Sequence, residues 1–315
     1  MRRRRLHPLV RLVAVIAALT MVAAACGDDE SDDENGAGAP DDTEQTDGGD
    51  QAACDSISIG WIPWDEDIVV TELWAVLLED AGYEVETTQS DAAPVFQGVA
   101  KGDLDLFFDA WLPATHAPYW EEFGEELEDL ATWYDQGTLN IAVPEYVEID
   151  SIAELAGNAD MFGAEIIGIE AGAGLMRTTQ EEAIPTYGLD DYTLVESSTP
   201  AMLAELERAI GDEEPIVVTL WHPHWAYSVY PIKDLEDPEG AMGGAEELHA
   251  VARPGFTDDC PEVSGWISDF ELNDEQLAEL EDIVLNQYES GQEEEGIREW
   301  LSGEGNQELV DSWMS

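Results

Sequence analysis

The chain has 315 residues, of which 72 are Asp or Glu and 11 are Lys or Arg, for a formal net charge of −61. So acidic a chain excludes nucleic acid as a partner, because a phosphate backbone requires a basic stripe. A hydrophobic fraction of 44% with 9% aromatics is that of a globular protein, and the length predicts about two domains.

Arg2, Arg3, Arg4, Arg5 and Arg11 flank or enter an apolar run from Leu12 to Ala25. That run is shorter than the about 20 residues of a membrane span. It fits the apolar centre of an export signal, ending in small residues. Cys26 directly follows Ala23-Ala24-Ala25 and resembles the cysteine of a bacterial lipobox, which implies that Cys26 receives lipid and becomes the mature N-terminus. Residues 27–53 hold 11 acids and no Lys or Arg. With almost nothing apolar to bury, they read as an acidic disordered tether. A product starting at Cys26 keeps every acid and loses five of the 11 basic residues. Such a surface repels itself unless screened. The composition therefore predicts a halophilic protein outside the cytoplasm, held to the outer face of the membrane by its lipid.

The folded body is expected to begin near Cys54. Cys54 and Cys260, in an oxidising space, either form a disulfide or stay as buried thiols. Ile57–Trp61 alternates as a strand and stops at Pro63. Val69–Asp80 is predicted helical and ends at Gly82. Tyr83–Thr87 is a second strand, 92–101 a helix closed by Gly102, and Leu104–Ala110 a third strand. This βαβαβ rhythm belongs to an open α/β sheet. After the apolar run Leu139–Val143 it restarts. A strand is expected at Ile166–Glu170, a helix from Gly174, a strand at Tyr192–Val195, a helix at Pro200–Ile210 and a strand at Ile216–Leu220. Pro185 should end or kink the helix that starts at Gly174. Residues 246–252 read as a return strand and 272–303 as two amphipathic helices. The expected architecture is α/β, a hinged two-lobe body with a cleft. Residues 1–26 are the signal and lipobox, 27–53 the tether, 54–143 with 247–315 the first lobe, and 144–246 the second.

Ligands of open α/β sheets bind beyond the carboxyl ends of strands. Trp64, Trp111 and Trp221 are each predicted to follow a strand, whereas core tryptophans fall within element faces. Clustered indoles suit a methylated cation, which donates no hydrogen bond and is held by ring faces at about 0.5–2 kcal/mol each. A strand, a glycine-containing turn and a helix start over Ile169–Leu175 add backbone N–H groups suited to an anion. Cage and anion pocket together imply a zwitterion.

The motifs PWDE (63–66), DAWLPATH (109–116), GAGLM (172–176), EEPIVVTLWHPHW (213–225) and LEDPEG (235–240) resemble those of substrate-binding proteins for glycine betaine and proline betaine, which serve ABC importers. The likeness runs from about Ile57 to Asp282. It implies a periplasmic-binding-protein-like fold of the second type. It implies that Trp64, Trp111 and Trp221 box the quaternary ammonium, and that His116 with the N–H groups of Gly174 and Leu175 holds the carboxylate. It also implies that ligand bridges the lobes and that ABC permease subunits are the partners. Choline or carnitine is the alternative ligand, with Asp109 or Asp65 placed to attract a net cation.

Two other classes have less in the sequence to support them. No GxSxG, HExxH or other nucleophile–base pattern marks an enzyme, and no cofactor is expected. His116, His222 and His224 are imidazoles that a transition metal would use, which makes a metal-binding protein the weaker alternative.

Overall fold

The computed structural model describes residues 54–315. The export signal, Cys26 and the tether lie outside the described residues. Nine strands form a mixed, curled sheet. They are β1 (Ser56–Trp61), β2 (Glu84–Gln89), β3 (Leu106–Leu112), β4 (Glu128–Pro144), β5 (Glu165–Ile167), β6 (Thr193–Val195), β7 (Val218–His222), β8 (Ile232–Asp234) and β9 (Glu246–Ala252). The order is β2-β1-β3-β9-β4-β7-β5-β6, with β8 paired to β4.

Two sets of parallel strands sit at the ends of this order, β2-β1-β3 and β7-β5-β6. Each set is built by helical crossovers, as parallel pairing requires. Antiparallel β9 and β4 join them. The first part of β4, from Glu128 to Gly137, pairs with β9, and the next part, Thr138–Ala142, pairs with β7. Three register shifts interrupt the β4–β9 ladder before Gly137. Each shift bends and twists the strand locally, so one continuous strand passes from one parallel set to the other. The crossing expected at 143/144 falls inside this strand, where Ala142 and Val143 already pair with β8.

Helix Asp65–Ala81 starts four residues earlier than apolar periodicity predicts, with Trp64 in extended conformation ahead of it. Asp65, Glu66 and Asp67 fill its first turn, where the helix dipole favours acids. They carry no apolar signal, so the pattern begins only at Val69. Its inner face buries Val69, Val70, Leu73, Trp74, Val76, Leu77 and Leu78. Trp74 stacks on Phe108, and Phe270 and Trp313 close around them. Trp313 comes from a C-terminal helix, Asn306–Trp313, which lies beyond the two tail helices expected.

The helix from Gly174 does not end before Pro185. Gly174–Thr178 is α-helical, Thr179–Ala183 widens into a π-type turn, and Ile184–Tyr187 continues with the proline in its first turn. The widened turn accommodates the N–H that proline lacks. Cys54 and Cys260 are joined, with Cα atoms 5.3 Å apart.

Candidate functional site

Trp111 and Trp221 lie within β3 and β7, near their carboxyl ends, rather than after them as the sequence predicts. Trp64 precedes helix Asp65–Ala81. The three side chains come together in one pocket of about 280 Å³ of empty space, with Glu66, Thr115, Leu139, Ile169, Ala173, Gly174 and Leu175 completing its wall. Other tryptophans behave differently: Trp74, Trp133 and Trp300 are wholly buried in the interior.

Two cage indoles are fixed by buried acids. Trp111 Nε1 donates to Asp109 Oδ1 at 2.9 Å, and Trp221 Nε1 donates to Glu66 Oε2 at 2.8 Å. Trp64 Nε1 has no partner, and its ring stacks on His116 with centroids 5.6 Å apart and planes 13° apart. Gly137 on β4 leaves room for Trp111, since a Cβ there would lie 2.7 Å from the indole Cζ3.

His116 is brought close to the cage but is not part of its wall. Its Nδ1 accepts the Trp111 backbone N–H at 2.9 Å, while the His116 N–H donates back to the Trp111 carbonyl at 3.0 Å. Burial, aided by the charge of Arg177, pushes the imidazole down to about 3. It is therefore neutral, and the bond at Nδ1 places its proton on Nε2. That Nε2 is buried and without a hydrogen-bond partner.

The loop that carries His116 is held from two sides. Glu246 Oε2 accepts the N–H groups of Ala114 and Thr115 at 2.9 and 2.7 Å. Arg177 Nη2 donates to the carbonyls of the same two residues at 3.1 and 3.3 Å. Opposite the loop, Gly174 opens a helix, so its N–H and that of Leu175 lack intrahelical acceptors. The approach is close: a Cβ on Gly174 would lie 2.4 Å from the Thr115 carbonyl oxygen.

Behind the cage lies a set of buried acids. Asp65, Glu66 and Asp67 from the helix start, Asp109 from β3 and Glu281 from helix Asp274–Glu281 are all buried. Burial raises Asp65 to about 6 and Asp67 to about 8. Burial also holds Glu66, Asp109 and Glu281 well above the usual carboxylate range, and their like neighbours push the same way. Asp65 also accepts the Trp225 indole N–H and lies 3.2 Å from His224 Nε2. His224 is pushed down to about 3 by burial. His222 instead pairs with Asp234 and stacks on Tyr227. Among the described residues, no group of three or more His, Cys, Asp or Glu is arranged to hold a metal ion.

Glu66, Thr115, Leu139, Ile169 and Arg177 were not singled out from the sequence. Glu66 was the most findable, since it closes the PWDE motif two residues after the first cage tryptophan. The others carry no local signal.

A twofold βα body with an aromatic pocket at its strand ends is that of a two-lobe solute-binding protein. Comparison narrows the class. The model of the substrate-binding domain of ABC-type glycine betaine transport systems matches residues 55–303, and the chain belongs to that family. A glycine betaine/carnitine transport binding protein of Listeria monocytogenes is 37% identical over 150 residues, 47% of this chain and 48% of that protein. The chain thus matches about half the length of that relative. A glycine betaine, L-proline-binding protein from Borrelia burgdorferi superposes with a TM-score of 0.77 at 36% identity, over 82% of this chain and 97% of that one. A lactococcal protein in its closed, glycine betaine-bound form gives a TM-score of 0.76 at 30% identity, over 82% and 99%.

Proposed function

We propose that this chain is the extracytoplasmic solute-binding component of an ABC importer, taking up glycine betaine or a related quaternary-ammonium osmolyte for osmoprotection. The observation that carries it is the pocket wall. Three indoles from separate stretches of the chain, Trp64, Trp111 and Trp221, face one small space whose remaining wall is apolar except for Glu66 and Thr115. A methylated cation gains from such ring faces and asks for no acceptor. The carboxylate end is assigned to the N–H groups of Gly174 and Leu175 and to His116 Nε2–H, a buried donor without a protein partner. An orphaned donor is costly unless a ligand satisfies it.

The two lobes in this reading are residues 54–137 with 247–315, and 138–246. Strand pairing motivates moving the first boundary from 143/144 to 137/138. Trp64, Trp111 and His116 then belong to the first lobe and Trp221, Gly174 and Leu175 to the second, so bound ligand favours the closed form that the permease subunits would recognise. Lipid on Cys26 and the acidic tether 27–53 would keep the body at the outer face of the membrane.

Calorimetric titration of the full chain with glycine betaine, choline and carnitine tests this. Glycine betaine is expected to bind at one site and to shift tryptophan emission. No heat and no emission change with any of the three refutes it. Choline is retained as a second ligand because of a carboxyl group in the pocket wall.

A further inference from the structure

Of the ten residues that line the pocket, Glu66 alone is titratable. Its Oε2 is engaged by the Trp221 indole N–H. It sits in the first turn of a well-buried helix and is itself buried. The charged and titratable groups around it come from every packed element. Asp65 and Asp67 sit on its own helix, Asp109 on β3 and Glu281 on helix Asp274–Glu281, and all are acids. Asp109 Oδ2 and both Glu281 oxygens have no hydrogen-bond partner. The imidazoles of His116 and His224 are buried and neutral, and the charge of Arg177 acts on His116. Among the described residues no Lys or Arg forms an ion pair with Glu66.

Resting on the reading of the pocket as a quaternary-ammonium site, we infer that Glu66 is the residue that sorts its ligands by net charge. Uncharged, it admits a net-neutral zwitterion; ionised, it favours a quaternary cation that carries no carboxylate. Neither Asp109 nor Asp65, the acids expected from sequence to attract a cation, lines the pocket; both stand behind the wall and accept indole N–H groups.

The physical reason is the difference between a monopole and a dipole. Several like carboxyls in an enclosed space cannot all ionise, and burial already favours their protonated forms. A bare cation placed in the cage supplies the charge that Glu66 lacks, so its binding and the loss of the Glu66 proton assist each other. Linkage makes this reciprocal: raising the pH must then raise affinity for the cation, by at most about tenfold per pH unit for one proton. A zwitterion brings the same ammonium but also a carboxylate, which the ionised Glu66 repels. Its affinity gains less.

The test is a titration of the full chain with choline and with glycine betaine from about pH 5 to about pH 9, a span that starts just above the ordinary carboxyl range and runs through the raised one. It compares the wild type with Glu66→Gln. Gln keeps a carbonyl acceptor for the Trp221 N–H, so the cage keeps its anchor. In the wild type the ratio of choline to glycine betaine affinity is expected to climb by about tenfold or more, and in Glu66→Gln to hold within about threefold. A flat wild-type ratio, or an equal climb in the variant, overturns the inference while leaving glycine betaine binding intact. Failure of both ligands to bind the wild type overturns the pocket reading as well. Independently of any variant, choline binding should release protons, read as a heat that changes with the ionisation enthalpy of the buffer. A buffer-independent heat overturns the inference.

Discussion

Replacing Gly174 by Ala isolates the close approach between the GAGLM turn and the DAWLPATH loop. The added Cβ would meet the Thr115 carbonyl oxygen at 2.4 Å, its Cγ2 at 2.5 Å and its carbonyl carbon at 3.0 Å. A tolerable carbon–oxygen contact is about 3.3 Å, so the loop must retreat by about 1 Å. Arg177 Nη2, now 3.1 and 3.3 Å from the carbonyls of Ala114 and Thr115, would then fall outside hydrogen-bond range of both. A bond to a charged group contributes about 1.5–3 kcal/mol. Arg177 is partly exposed, so the low end applies, and two bonds come to about 3 kcal/mol, a rise in Kd on the order of 100-fold. Ala suits a helix start at least as well as Gly, so the ligand-free melting temperature should move by less than about 3 °C. Calorimetry gives the Kd and calorimetric or fluorescence melting gives the control. Binding within about threefold of the wild type, or a collapse of ligand-free stability, would refute the view that this contact closes the pocket.

Three other outcomes are expected. Trp111→Ala should weaken glycine betaine binding by tenfold or more, about 1.4 kcal/mol, while Trp111→Phe, which keeps a ring face, should cost less; equal losses would argue that indole packing alone decides. Stability should fall with pH above about 6.5. Asp65 and Asp67 hold protons in the folded chain up to about 6 and about 8, against 3.8 when unfolded, so their stabilisation is present at low pH and lost as pH rises. His116 and His224, lowered from 6.5 to about 3, act in the opposite sense, but only below 6.5. Asp67→Asn should flatten the upper slope, and a melting temperature constant or rising from about pH 6.5 to about pH 8 refutes the assignment. Salt should raise the melting temperature steeply toward molar concentration, where the screening length shrinks to about 3 Å, because 72 acids face 11 bases. Affinity for the net-neutral zwitterion should change by less than about tenfold, and a flat melting curve would refute the high-salt reading of the composition.

Some of the site was legible because function left local marks. Trp64, Trp111 and Trp221 stand near strand ends in recognisable motifs, and the pocket gathers all three with Gly174 and Leu175. His116 was found for the same reason, yet it stacks on Trp64 and is not among the residues that line the pocket, a distinction that no motif encodes. Glu66 was passed over because one acid among 72 is invisible until its neighbours are known. Arg177 was hidden differently: its partners are backbone carbonyls, and any residue has those.

Sequence by itself determined the βα rhythm, since helix and strand periods are properties of consecutive side chains. It also determined the acid excess. Only the tertiary structure decided how the two parallel sets join. Residues 128–137 are assigned to no element from the sequence, yet they pair with β9, a partner more than 100 residues away that supplies the hydrogen bonds. Likewise the start of helix Asp65–Ala81 and the state of its acids depend on what folds over them. A carboxyl's ionisation follows the water and charges around it, and those come from β3, β7 and the C-terminal helices as well as from its neighbours in the chain.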